Sequence, residues 1–97
     1  MATYVVLYNW TDQGIRNVRE SPKRVDVARE MASKYGCTLK ELYSAMGAYD
    51  LIGIIEAPDD QAITKLNLSL ASLGNVRTTT LKVFPESEFR NVVQAIS

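Results

Sequence analysis

Stretches apolar at nearly every position alternate along this chain with stretches apolar at every third or fourth residue. Thr3 to Trp10 (TYVVLYNW) is β-branched and aromatic, with apolar side chains at odd and even positions alike. That pattern predicts a strand covered on both faces. Thr11-Asp12-Gln13-Gly14 ends it, with Thr11 placed to cap a short helical turn carrying Ile15 and Val18. Ser21 then suits an N-cap and Pro22 the first position of a longer helix. On that helix Val25, Ala28, Ala32 and Tyr35 fall on one face, and Gly36 stands where a helix stops.

Cys37 to Met46 reads as a second strand of mixed polarity, and Gly47-Ala48-Tyr49-Asp50 as the connection to a third, Leu51 to Glu56, apolar on both faces. Pro58-Asp59-Asp60 ends the third strand, and either aspartate can cap the helix whose face carries Ile63, Leu66, Leu70 and Leu73. Val76 to Phe84 predicts a fourth strand. Pro85 opens a last helix with Phe89, Val92, Val93 and Ile96 on one side. The order β-α-β-β-α-β-α contains two split β-α-β halves, the α+β arrangement called ferredoxin-like, with a four-stranded antiparallel sheet and an added C-terminal helix. Strands one and three are central in that fold, and they are the two read as covered on both faces. Residues 1–97 are expected to form one domain.

Two helices cover one face of such a sheet, and the other should be polar if it meets water. Here both are apolar: one face of the first strand carries Val5 and Leu7, the other Tyr4, Val6, Tyr8 and Trp10. A second copy of the sheet is the simplest cover, so a homo-oligomer built on a face-to-face dimer is expected. The Tyr- and Trp-bearing face is the one expected between subunits, which makes Val6→Lys the change expected to break the assembly.

Composition narrows the chemistry. Eleven Lys+Arg against eleven Asp+Glu give zero formal charge, with the signs interspersed. That excludes the unopposed basic face on which nucleic-acid affinity rests. The basic residues Arg16, Arg19, Lys23, Arg24 and Arg29 alternate with Asp12, Glu20, Asp26 and Glu30 as a solvated face. Histidine is absent, which removes Ser-His-Asp and Cys-His catalysis and the usual zinc sites. No Gly-rich phosphate loop occurs, and Glu56, Asp59 and Asp60 read as a cap and helix-dipole partners rather than cation ligands. No metal and no cofactor are expected. Cys37 has no partner for an internal disulfide and reads as a small buried residue. No secretory signal and no membrane span is legible, so a cytoplasmic location is the expectation.

Three segments carry a family resemblance: Tyr4-Val5-Val6-Leu7 with Trp10-Thr11, Gly47-Ala48-Tyr49-Asp50, and Gly74-Asn75-Val76-Arg77-Thr78. Together they resemble the GYD domain family, named for a Gly-x-Tyr-Asp pattern, over essentially the full chain. The resemblance implies a fold like the dimeric α+β barrels, whose members include cofactor-free monooxygenases, isomerases, haem enzymes and ligand-sensing domains.

Five residues are candidates for a site. Tyr49 and Asp50 stand in the Gly47–Asp50 connection, where Gly47 accepts positive φ and the carboxylate can hold a backbone N–H or serve as base or anchor. Asn9 and Trp10 end a central strand where a cavity would open, with one amide and one indole N–H to offer a ligand. Arg77 opens the fourth strand beside three threonines and could clamp a carboxylate or simply keep an edge strand soluble. For each, the structural role weighs more than the catalytic one. The reading that follows is a small-molecule-binding, oligomer-forming domain with its ligand between sheet and helices, any pocket being lined by Asn9, Tyr49, Asp50 or Arg77 rather than by the basic helix. The alternatives are a cofactor-independent monooxygenase or isomerase acting on a small aromatic or enolisable compound, and an assembly module without a pocket.

Overall fold

The computed structural model describes residues 1–97. Strands β1 (Ala2–Trp10), β2 (Thr38–Ser44), β3 (Leu51–Ala57) and β4 (Val76–Val83) form one antiparallel sheet in the order β2-β3-β1-β4. The two strands apolar on both faces are therefore central. A short helix α1 (Asp12–Arg16) and a 3-10 turn over Val18–Glu20 lead into α2 (Ser21–Lys34); α3 (Asp60–Ser72) joins β3 to β4, and α4 (Glu86–Gln94) follows β4. Thr11 caps α1 by accepting from the Gly14 N–H, and Asp59 caps α3 by accepting from the Ala62 N–H at 2.8 Å. The Ser21 cap does not form. The 3-10 turn runs straight into α2, so Ser21 is already helical, and its buried hydroxyl has no hydrogen-bond partner.

One core lies between the sheet and α2/α3. Tyr4, Val6, Tyr8, Ile55 and Ala57 meet Ala32, Ala62, Ile63 and Leu66 there, with Cys37 among them. The even-numbered face of β1 is thus the inner one, which corrects the expectation that it lies between subunits. Val6 is 0% exposed. Hydrophobic alternation could not choose, because both faces of β1 are apolar. The choice follows from connectivity: β1 and β2 run parallel, β3 and β4 run parallel to each other in the opposite sense, and right-handed crossovers then place both helices on one side. The other face is open. On it Val5 lies between Leu81 and Ile54, and Leu7 between Thr79 and Ile52, with Tyr43 beside Ile52.

The inner face carries two tyrosines whose hydroxyls are hard to ionise. Burial, together with a hydrogen bond donated to the Asp60 carboxylate, pushes Tyr4 up to about 12, and burial alone does the same for Tyr8. The Tyr4 bond and Lys82 at 3.0 Å hold Asp60 below the usual carboxylate range. A phenol free in the unfolded chain ionises near ~10. The stabilisation from keeping both tyrosines neutral is therefore complete below that pH and is lost as pH rises from about 10 to 12. The melting temperature should fall steeply across that interval, and less steeply in Tyr8→Phe. A flat alkaline profile for the unmodified chain would show that neither hydroxyl is held neutral by the fold.

Candidate functional site

The three segments singled out in the sequence meet at one end of the sheet. Asn9 donates from Nδ2 to the Ala48 carbonyl at 2.8 Å, and the Trp10 N–H donates to Asp50 Oδ2 at 2.9 Å. The Asp50 N–H donates back to the Tyr8 carbonyl at 2.9 Å, so the Gly47–Asp50 loop is stitched to the end of β1 from both sides. Gly47 has φ 116°, which an L side chain rarely adopts and glycine does freely. On the other flank the Thr11 N–H donates to the Asn75 carbonyl at 3.0 Å, and Thr11 Oγ1 donates to the Gly74 carbonyl at 2.5 Å. Gln13 Nε2 donates to the Leu73 carbonyl and to Asn75 Oδ1. Between these bonds α1 lies so close to the α3–β4 turn that a Cβ on Gly14 would sit 2.0 Å from the Asn75 carbonyl oxygen.

What this stitching holds in place is Trp10. Its side chain forms part of a half-open cavity of about 250 Å³ between the end of the sheet and α2 and α3. Tyr8, Leu42, Leu51 and Val76 line it from the strands, Val25, Val27, Leu70 and Leu73 from the helical side. Glu20, Ser21, Lys23, Arg24 and Asn75 complete the lining. Arg24 is already occupied, donating to the carbonyls of Gly14 at 3.2 Å and of Asn17, which ties α2 to α1. Lys23 lies 3.7 Å from Glu20, and both are exposed.

Of the five candidates, Trp10 alone lines the cavity. Asn9 and Asp50 sit directly behind it, acting through the backbone. Tyr49 is half-buried in the same loop, outside the lining. Arg77 is exposed and pairs with Asn9 across the strands, away from the cavity. The basic helix, expected to lie away from any pocket, instead supplies one wall of this cavity through Lys23, Arg24, Val25 and Val27 of α2. The signal was in the leftover apolar positions. Val27 lies off the core stripe of α2, and Leu42 stands out on a strand of mixed polarity. Cys37 is 3% exposed, and burial pushes its thiol up, away from the reactive thiolate.

The fold and site together define a ferredoxin-like α+β domain with an apolar cavity walled by sheet and helices. The chain belongs to the GYD domain family, whose model matches residues 4–93. A relative from Thermus thermophilus is 33% identical over 89 residues, spanning 91% of this chain and 94% of that protein, and is named glutamine synthetase and cystathionine beta-lyase binding protein. The crystal structure of TTHA0845, also from Thermus thermophilus, superposes with a TM-score of 0.57 at 26% identity, over 88% of this chain and 95% of that one. Two larger proteins share the fold alone. MtbAldR superposes at TM-score 0.67 and 14% identity over 87% of this chain. The feast or famine regulatory protein of M. tuberculosis, solved with L-methionine, does so at 0.65 and 16% over 88%. The chain spans about half the length of each, 52% and 51%. No helix is long and apolar enough to cross a membrane.

Proposed function

We propose that this chain is a small-molecule-binding subunit, working as a homo-oligomer paired through its open sheet face. The observation that carries the reading is the apolar cavity of about 250 Å³ between sheet and helices, one wall of which is the side chain of Trp10. That volume lies just below the ~300–1,000 Å³ of sites for drug-sized ligands, so the ligand is compact: an aromatic or branched aliphatic body. Its polar end lies at the open side, near Glu20, Lys23 and Asn75. The groups weighed for catalysis do not converge on this space, since Asn9 and Asp50 are spent on backbone hydrogen bonds. That favours binding over a monooxygenase or isomerase.

Trp10 is the chain's one tryptophan and a built-in reporter. Titration with anilinonaphthalene sulfonate, which accepts energy from indole, should quench its emission saturably. Val25→Phe fills the cavity and should weaken that binding at least tenfold with the melting temperature kept within a few degrees. Arg77→Ala, on the open face, should leave it unchanged. Quenching that is indifferent to Val25→Phe would move the site away from the cavity.

The relative's name favours a second, compatible reading, in which the subunit binds other proteins. Identity of 33% across nearly the whole of both chains supports carrying it over. Purified glutamine synthetase and cystathionine beta-lyase passed over the immobilised chain test it. Retention of either supports this reading, and retention of neither removes it.

A further inference from the structure

We propose that α4 is an exchanged arm, which packs its apolar stripe on a second copy of this chain and so closes the interface begun by the open sheet face. The inference rests on the sheet-face pairing proposed above and adds to it the element that completes it. Phe89, Val92 and Val93 fall within one sector of the helix about 100° wide, and Ile96 follows just past its end. The Glu86–Arg90 ion pair, Ser87, Asn91 and Gln94 occupy the rest of its circumference. Inside one subunit the stripe covers nothing: these four side chains are 58%, 54%, 48% and 70% exposed, and α4 has no buried residue. Phe84, which leads into the arm, is 61% exposed as well.

A nine-residue helix is too short to hold together by its own hydrogen bonds in water, since isolated helices below ~12–15 residues are marginal. This one is strongly amphipathic, which calls for an apolar surface to lie on. Its own subunit does not supply one. Pro85 starts α4 beyond the end of β4, at the end of the sheet where Val83 pairs with Thr3, opposite the cavity. The chain is accordingly long, 53 × 31 × 17 Å, with a radius of gyration of 14.7 Å against ~13 Å for a compact chain of this length.

Interface size selects the occupant. A four-stranded face of this length covers roughly 400 Å², so two faces meeting would bury about 800 Å², the range of incidental crystal contacts. Each arm adds a strip about 14 Å long and ~10 Å wide. Laid reciprocally on two copies, the arms carry the interface past the ~1,200 Å² at which stable complexes begin. A two-fold pairing meets both needs at once, because each copy donates one arm and receives one. Leu81 at 49% and Tyr43 at 53% exposed stand on the two edge strands, at the margins of the open face beside which the arms would lie.

Sedimentation equilibrium of the full chain over roughly 1 to 100 µM should show a dimer. The double variant Phe89→Glu/Val93→Glu should weaken it at least a hundredfold, while the single chain still melts cooperatively and at a temperature that no longer depends on concentration. Asn91→Glu, on the polar side of the same helix, should leave it intact. Amide exchange in α4 should slow as concentration rises. A dimer indifferent to Phe89→Glu/Val93→Glu would overturn the arm and leave the sheet pairing standing, whereas a monomer for the unmodified chain would overturn both.

Discussion

Val6→Lys should abolish cooperative melting or lower the melting temperature by tens of degrees, while Val5→Lys, one residue away, should leave the chain folded and alone. Val6 is completely buried between the sheet and the two core helices, in a cluster with Tyr4, Ile55 and Leu66. An ammonium there has no carboxylate partner, and an uncompensated buried charge costs about 3–5 kcal/mol. A domain of this length has only ~5–15 kcal/mol in total, so cooperative melting should be lost or shifted down by tens of degrees. Val5 points to the other side, between Leu81 and Ile54. In the single subunit a lysine at that position reaches water, so its melt should change little. In the proposed face-to-face pair it is carried into an apolar seam without a partner charge, and the dimer should dissociate. Circular dichroism and sedimentation of the two variants side by side check both statements. A Val6→Lys chain that melts like the parent would contradict the burial; a dimeric Val5→Lys chain would contradict the sheet pairing.

Gly14→Ala should cost about 3 kcal/mol, the upper end of what overpacking does. Added methyl groups usually find a side chain that can rotate away. Here the nearest atoms are the carbonyl oxygen and carbon of Asn75, at 2.0 and 2.9 Å, and both belong to backbone. Relief requires α1 to separate from the α3–β4 turn, which breaks the Thr11 bonds to Gly74 and Asn75 that hold the end of β1. Trp10 sits on the other side of that junction. Its emission should therefore shift to the red in the folded variant, and anilinonaphthalene sulfonate should bind more weakly. Chemical denaturation gives the loss of stability and fluorescence the coupling. A variant as stable as the parent would mean that the turn yields freely.

How much of this is legible in the chain alone differs from element to element. Spacing of apolar side chains identifies four strands, the helices and the central position of β1 and β3, because those patterns record how many faces each segment must bury. Thr11 and Asp59 are readable as caps, since a cap is a local hydrogen bond between neighbours in sequence. Ser21 reads as a cap and is not one, because the preceding residues form a 3-10 turn, and only the conformation of Asn17 to Glu20 decides whether a cap is needed. Asp50 is readable as a residue that holds a backbone N–H, but its partner, Trp10, lies forty residues earlier. The identity of the buried face is beyond the sequence, because Val5 and Val6 are the same residue and both faces of β1 are apolar. The handedness of the crossovers chooses between them. The cavity is beyond it too, since its wall draws on four strands and two helices that share no local pattern. The sequence determined the elements, their order and the apolar stripe of α4, all of which follow from periodicity. Only the tertiary structure decided which side is inside, which residues surround Trp10, and that α4 covers nothing of its own, because each depends on where distant segments come to rest against one another.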